Sequence, residues 1–530
     1  MSLASRFEGS TVASALTTRA TSDPERPYLR HGDDVLTFGD IESRAEALAA
    51  ALANLGLQAE DRLALVLEPC PEFVVSMFAA AKLGVVIVPL NPRLPAGDLQ
   101  YALRHSGAVC AVTLEEAHGT DYLALFEELM GQLPELRHLV TVGHEDLWYG
   151  DRVYQFEDLV SAGAGRDYTA TTVDPEASRF ALVYTSGTMG KPKGVELSHT
   201  NLLAAAAGMA DVIGLTADDT VVGVSALFHV FGLGPGLLST LLAGASVVLH
   251  HETDADAILE STELHRATVH YGIPTHFIAE LDALERRPRD LSSLRLAVIA
   301  GAPVSDELIE RLKGAFGVTV TTAYSVTETS STVSASRPDD PRDKRRFTVG
   351  RPIAGTHVRV LEVDGGELPV ESVGEIAVKG PGVMLGYYRQ PKETSAAFDA
   401  DGYFLTGDLG LIDEEGYLHL VGRKKDVIIK AGFNVYPREV EARIESHPAV
   451  QEVAAVGMPD ALLGEAICAC VVPVEGAIVT GQEIVDWCRE TLADPKIPDQ
   501  VRFVDELPRT DTGQVRRTDL GRRVAEARSV

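Results

Sequence analysis

Tyr184-Thr185-Ser186-Gly187-Thr188-Met189-Gly190-Lys191-Pro192-Lys193-Gly194 is the stretch on which the reading of this chain turns. It follows Phe180 to Val183, an apolar run that reads as a buried strand, and precedes Ser198, a good N-cap for the helix that comes next. Its glycines allow a tight loop, its hydroxyls and backbone N–H groups can cradle phosphates, and its lysines can neutralise a triphosphate. It is not a Walker loop, because no Gly-Lys-Ser/Thr follows. A lone glycine turn is an ordinary surface feature. This density of hydroxyls, glycines and lysines points instead to a phosphate loop.

Outward from that loop, helical and strand-like periodicities alternate for most of the chain. Ile41 to Leu55 has helical spacing, Arg62 to Leu67 reads as a strand, Pro71 to Leu83 as a helix and Val85 to Pro89 as a buried strand. The rhythm recurs at Thr220 to Ser225, Ser246 to Leu249 and Leu296 to Ala300. Such alternation predicts an α/β fold of parallel sheets covered by helices. Beyond about Gly355 short strands with glycine-rich turns, Val358 to Leu361 and Gly374 to Val378, predict a β-rich lobe. From Lys424 a small α+β C-terminal domain is expected, with helices over Pro437 to Ser446 and Gly481 to Leu492 and strands near Val453 and over Cys468 to Val472. No low-complexity linker separates the parts, so the expected division into residues 1–424 and 425–530 falls at a tight hinge near Lys425.

Composition narrows the function. With 530 residues the chain is too long for one compact core. Its 47 basic and 77 acidic side chains give a net charge of −30, which argues against nucleic acid as a partner and leaves any anionic ligand to local positive features. No apolar run reaches the roughly 18 residues of a membrane span, and Met1 to Arg6 lacks a secretory core, so a cytoplasmic protein is expected. Cys70, Cys110, Cys468, Cys470 and Cys488 read as buried reduced thiols, and the His250-His251 pair lacks partners at metal-ligand spacing.

The phosphate loop resembles that of the adenylate-forming superfamily, which includes acyl- and aryl-CoA synthetases. Further matches follow in family order: Phe228-His229-Val230-Phe231-Gly232, Gly301-Ala302-Pro303, Tyr324-Ser325-Val326-Thr327-Glu328, Val349-Gly350-Arg351-Pro352, Gly386-Tyr387-Tyr388, Tyr403 to Asp408, Gly422 to Asp426 and Pro508 to Gly513. The resemblance spans about Leu36 to Thr518. It implies ATP, Mg²⁺ and coenzyme A as ligands, a small carboxylic acid as substrate, and a thioester formed by way of an acyl-AMP. A separate carrier protein, an amine or another nucleophile is the second possible acceptor. A nucleotide-binding relative that has lost catalysis is a third reading.

The resemblance also assigns residues. Thr185, Ser186, Gly187, Thr188, Gly190 and Lys193 would hold phosphates, and Glu328, beside Thr327, would hold Mg²⁺. Adenine would lie between Gly301-Ala302-Pro303 and the Tyr324 ring. Asp408, in what reads as a Thr-Gly-Asp turn, would accept the ribose hydroxyls, with Arg423 approaching from the opposite side. His229, Val230, Tyr271, Gly272, Ile273 and Ser325 would line the acyl pocket, His229 gating the thiol. Lys425 looks like the hinge between the two half-reactions, and Lys430 and Gly432 like the loop that faces the site in the second.

Three departures stand out. Gln514 occupies the place of a lysine that in relatives reaches the carboxylate and the α-phosphate; loss of such a contact costs roughly 10²- to 10³-fold in rate. Slow natural adenylation, a deliberate replacement and an unusual reaction each account for it, and Arg516 and Arg517 are candidate substitutes for the charge. Ser325 replaces a glycine at the acyl tunnel, which predicts a compact or aromatic acid. Met189 removes a hydroxyl from the phosphate loop.

Overall fold

The computed structural model describes residues 2–143, 152–185, 192–224, 226–250, 254–362, 365–460, 462–510 and 514–526. Two compact units emerge: Met1–His357 with Val378–Phe404, and Val358–Ala377 with Leu405–Val530.

The first unit carries two large sheets. One runs edge to edge through Arg351–Pro352, Ser331–Ala335, Thr319–Val326, Leu296–Ile299, Val269–Gly272, Thr220–Val224, Ser246–Leu249, Pro27–His31 and Asp34–Thr37. From Thr319–Val326 to Pro27–His31 its strands are parallel; the outer ones pair antiparallel. The other runs through Gly386–Tyr387, Lys193–Ser198, Arg179–Thr185, Val86–Pro89, Arg62–Val66, Cys110–Leu114, His138–Val142 and Val153–Gln155. Helices Pro71–Leu83 and His199–Ile213 are buried on nearly every side, which is why their sequences are apolar all round. Both join strand residues of the two sheets in one hydrophobic cluster.

Ser198 caps its helix as the sequence predicts, its side chain accepting from Asn201 N–H and the Asn201 side chain accepting from Ser198 N–H. The path into it differs from the expected strand, loop and helix. Lys193–Ser198 is a strand that runs back antiparallel on Arg179–Thr185, so the helix opens only after a second strand of the hairpin. Val195 and Leu197, on one face of the strand, are buried, while Glu196 between them, on the other face, is less so.

In the second unit a four-stranded sheet orders His357–Leu361, Gly374–Lys379, Phe404–Ile412 and Leu418–Arg423. A five-stranded sheet follows, built on Val450–Asp460 and Gly464–Pro473 and including Ile428–Lys430, Phe433–Val435 and Gln500–Phe503. Helices Pro437–Glu445 and Gly481–Arg489 share its apolar cluster. The five cysteines are buried and none is in a disulfide. Among the described residues no helix is long and apolar enough to cross a membrane.

Candidate functional site

In the first unit the base of the hairpin gathers the polar groups. Thr185 and Lys193 face each other on its last rung. Helix Ala96–Ser106 braces both ends of the loop: Tyr101 donates its hydroxyl to the Pro192 carbonyl at 3.3 Å, and His105 Nδ1 meets the Tyr184 hydroxyl at 2.8 Å. Desolvation, with Arg389 nearby, holds His105 below the usual histidine range. The Gly386–Tyr387 strand lies against the hairpin's outer edge, with Tyr387 opposite Val195. Lys193 Nζ sits 4.4 Å from the centre of the Tyr387 ring, and the Tyr387 hydroxyl donates to Glu328 Oε1 at 2.8 Å. Burial, and then the Glu328 carboxylate, push the Tyr387 phenol well above its ordinary range.

Glu328 comes from the parallel sheet. Gly272, Ile299 and Thr322 form one row across three strands, so Gly301, Tyr324 and Glu328 follow at the carboxyl ends, where open α/β sheets bind ligands. Strand Thr319–Val326 ends in a short 3₁₀ turn, Thr327–Thr329, which presents Glu328. Ser325 shares a rung with Thr332, beyond a bulge after Tyr324. Tyr324 and Val230 are buried, and Tyr271 lies in the core with its ring edge against Phe231, 5.5 Å between centroids. The His229 ring lies 4.8 Å from that of Phe228, tilted by 55°, shortly before a π-helix, Gly232–Leu238, that contains Pro235. Only glycine fits at 232, since a Cβ would lie 2.2 Å from the Ala226 carbonyl oxygen.

The second unit holds another polar chain. Asp408 and Arg423 oppose each other across antiparallel strands, with Arg423 Nε 3.2 Å from Asp408 Oδ1. Arg423 Nη2 donates to Gln514 Oε1 at 3.2 Å. Lys425 lies in the 3₁₀ turn Lys424–Asp426, directly after the Arg423 strand. Partial desolvation, with Arg423 and Arg517 as positive neighbours, holds its ammonium below the ordinary lysine range against Asp426 and Asp408. Neighbouring Lys424 pairs with Glu375 at 2.6 Å.

Residues 16–388 match the pattern of the AMP-binding enzyme family, and residues 439–514 that of the AMP-binding enzyme C-terminal domain. The chain belongs to the AMP-binding enzyme family. This AMP-binding enzyme is 34% identical to a feruloyl-CoA synthase of an Amycolatopsis species, over 95% of this chain and 97% of the relative. The structure of the anthranilate CoA ligase AuaEII in complex with anthranoyl-AMP superposes with a TM-score of 0.88 at 28% identity, covering 98% of each chain. That of o-succinylbenzoate coenzyme A synthetase from Bacillus subtilis, in complex with ATP and magnesium ion, gives 0.80 at 29% identity, covering 96% of this chain and 98% of the other.

Several expected roles of the AMP-binding enzyme meet a different geometry. Asp408 lies inside strand Phe404–Ile412, but Gly407 there sits at φ +71° and Thr406 Oγ1 accepts from Asp408 N–H at 3.1 Å, so the expected turn is a local bend within the strand. Arg423 is its rung neighbour, so the two side chains stand on the same face of the sheet. Lys430 is buried, its ammonium on Asp499 Oδ1 at 2.8 Å and the Ile497 carbonyl at 2.9 Å, so it ties its own domain together. Gly432 does sit in an open turn, at φ +83° with free space where a Cβ would go. Arg517 is no substitute for the missing lysine charge, being held by Glu441 and, at 3.7 Å, by Asp426. Ser186, Gly187, Thr188, Met189, Gly190 and Lys191 lie outside the described residues, as do Asp511, Thr512 and Gly513. Tyr387, Tyr101 and His105 received no role from the sequence. Tyr387 stood in a quoted motif, but its partner Glu328 is 59 residues away and nothing local names it.

Proposed function

We propose that this AMP-binding enzyme is an AMP-forming acid–thiol ligase that makes a coenzyme A thioester. The observation that carries the reading is the match to the family over residues 16–388 together with identity to a CoA synthase along nearly the full length. In the first step a carboxylate oxygen attacks the α-phosphorus of ATP, the bond to the β-phosphate oxygen breaks, and acyl-AMP and pyrophosphate form. In the second the thiol sulfur attacks the acyl carbonyl, AMP leaves with the bonding pair, and the thiol proton passes to solvent. The protein contributes mainly position and charge.

Thr185 and Lys193, fixed on one rung, serve the phosphates, and the strand-end residues Gly301 to Pro303 and Tyr324 serve the adenine. Asp408, steadied by Arg423, accepts from the ribose hydroxyls. Glu328 suits Mg²⁺, a hard cation held by one or two carboxylates jointly with phosphate oxygens. Among the described residues no group of three or more metal-ligating side chains competes for it. When bound, the ion neutralises phosphate charge. Residues 1–424 and 425–530 act as the working parts, with Lys425, at the end of a strand, taking up the rotation between steps.

The acid is compact or aromatic, since Ser325 and Thr332 set two hydroxyl side chains on one rung beside Glu328. A cytoplasmic location belongs to the same reading, supported by the five buried thiols outside any disulfide. The test is incubation with ATP, Mg²⁺, coenzyme A and a panel of aryl and short-to-medium acids. AMP and thioester formed in equal amounts are expected. Acyl-AMP without thioester, discharged instead by hydroxylamine or a carrier protein, would move the acceptor away from coenzyme A. ATP binding without pyrophosphate release across the panel, in Gln514→Lys as well, would favour a binding protein.

A further inference from the structure

Tyr387 lies where three elements of the first unit meet, and no step above uses it. It is 8% exposed, too buried to serve as a surface contact. Its strand is fixed before its side chain acts. The Tyr387 N–H donates to Thr394 Oγ1 at 2.9 Å, and Thr394 Oγ1 in turn donates to the Gln390 carbonyl at 2.9 Å. On either side, Leu385 N–H donates to the Glu196 carbonyl and Tyr388 N–H to that of Gly194, locking the segment to the hairpin. The same segment holds Glu328 twice. Met384 N–H donates to the Glu328 carbonyl at 2.8 Å, and the Tyr387 hydroxyl donates to Glu328 Oε1 at 2.8 Å. The ring meanwhile presents a face to Lys193 Nζ at 4.4 Å.

A glutamate side chain has three rotatable bonds, and an ordered geometry must overcome that freedom. A phenol hydroxyl on one carboxylate oxygen fixes the plane and direction of the group, as partners of metal-bound carboxylates do, and removal of such partners costs roughly 10- to 100-fold in metal affinity. A cation over an aromatic face is likewise held in place without its charge being neutralised, so it stays available to an anion.

We propose that Tyr387 is a positioning residue. Its hydroxyl aims the Glu328 carboxylate at the divalent cation of the nucleotide complex, and its ring holds Lys193 ready for the phosphates. One side chain thus sets the metal ligand and the phosphate-binding lysine at a fixed separation. The inference rests on the reading that Glu328 holds Mg²⁺, and the experiment separates the failure of either.

Mn²⁺ binding, followed by electron paramagnetic resonance in the presence of a non-hydrolysable ATP analogue and without acid, reads the metal site free of turnover. Tyr387→Phe keeps the ring over Lys193 and removes only the hydroxyl. It is expected to weaken Mn²⁺ binding about tenfold. Glu328→Gln should weaken it further, and the double variant should bind no worse than Glu328→Gln alone, because the hydroxyl acts only through that carboxylate. Tyr387→Leu removes the ring as well and should also lower affinity for the analogue without metal, about threefold. A melting curve of each variant without ligands establishes that it folds, and Tyr387→Leu offers the same comparison should Tyr387→Phe not accumulate. Native Mn²⁺ affinity in Tyr387→Phe beside weak binding in Glu328→Gln would overturn the proposal. So would losses that add in full in the double variant, the mark of a merely structural role. Native Mn²⁺ affinity in Glu328→Gln would remove the metal role of Glu328, and the proposal with it.

Discussion

Replacing Gln514 by lysine sets a second cation beside Arg423, and the structure fixes what that should do with and without substrates. Gln514 Oε1 now accepts from Arg423 Nη2 at 3.2 Å. A lysine ammonium in its place would stand roughly 4 Å from the guanidinium, a repulsion of about 1 kcal/mol at the dielectric of water and about 4 kcal/mol at an effective value of 20. The Arg423 side chain is 39% exposed, which favours the lower figure, and added salt should reduce it. Ligand-free Gln514→Lys should therefore be less stable by about 1 kcal/mol. With substrates the sign reverses. A carboxylate and the α-phosphate are brought together, and a cation aimed at the charge they share accelerates the step by roughly 10²- to 10³-fold. The assay is pyrophosphate release at saturating ATP and acid, with ATP affinity measured separately. The second half-reaction, from acyl-AMP made beforehand and coenzyme A, should change little, because no such charge gathers there. Release in Gln514→Lys no faster than in the unaltered chain, with ATP bound normally, would refute the reasoning. Arg423 would then already supply the charge that Gln514 lacks.

Three further outcomes follow from particular contacts. Asp408→Asn keeps the size of the side chain but removes the charge that faces Arg423 and that we propose accepts from the ribose, so the KM for ATP should rise roughly 10- to 100-fold with the KM for the acid nearly unchanged, as read by ATP–pyrophosphate exchange. Ser325→Gly should move kcat/KM towards longer acyl chains by about tenfold in a competition between a short and a long acid; an unchanged ratio would place the pocket wall elsewhere. Burial lowers His199 to a pKa of about 4, with Val12 N–H donating to its Nδ1. A histidine that ionises more readily when unfolded contributes its stability above the unfolded pKa near 6.5 and loses it as pH falls towards 4. The loss at pH 5 should be about 2 kcal/mol relative to pH 7, visible in urea titrations and reduced in His199→Gln.

The parallel sheets were legible because their strands are buried on both faces and read as unbroken apolar runs, as at Val86–Pro89 and Leu296–Ile299. The helix capped by Ser198 was legible from its cap. Strand Lys193–Ser198 was not, since its lysine and glycine belong visually to the loop and only Val195 and Leu197, on either side of Glu196, reveal the alternation. Thr406-Gly407-Asp408 has turn composition, and the strand keeps that bend, with Gly407 at φ +71°, while Asp408 pairs with Arg423 across the sheet. The site's residue types were readable from motifs. Their couplings were not, because Tyr387 with Glu328, and Arg423 with Gln514, join segments 59 and 91 residues apart. Arg517 looked available by sequence position and is instead consumed by Glu441 and Asp426.

The hairpin closure at Thr185 and Lys193 has a consequence for how such a loop can change over evolutionary time. Both of its ends are stapled to the same rung, so an inserted residue is absorbed between them and moves nothing outside. The added cost grows only with the logarithm of loop length. Had the loop opened a helix, each insertion would have swung that helix by about 100° and carried the packed core with it. The connection between these two residues is thereby insulated from the scaffold, and its length can change without moving the sheets. Tyr101 and His105 mark where that freedom ends.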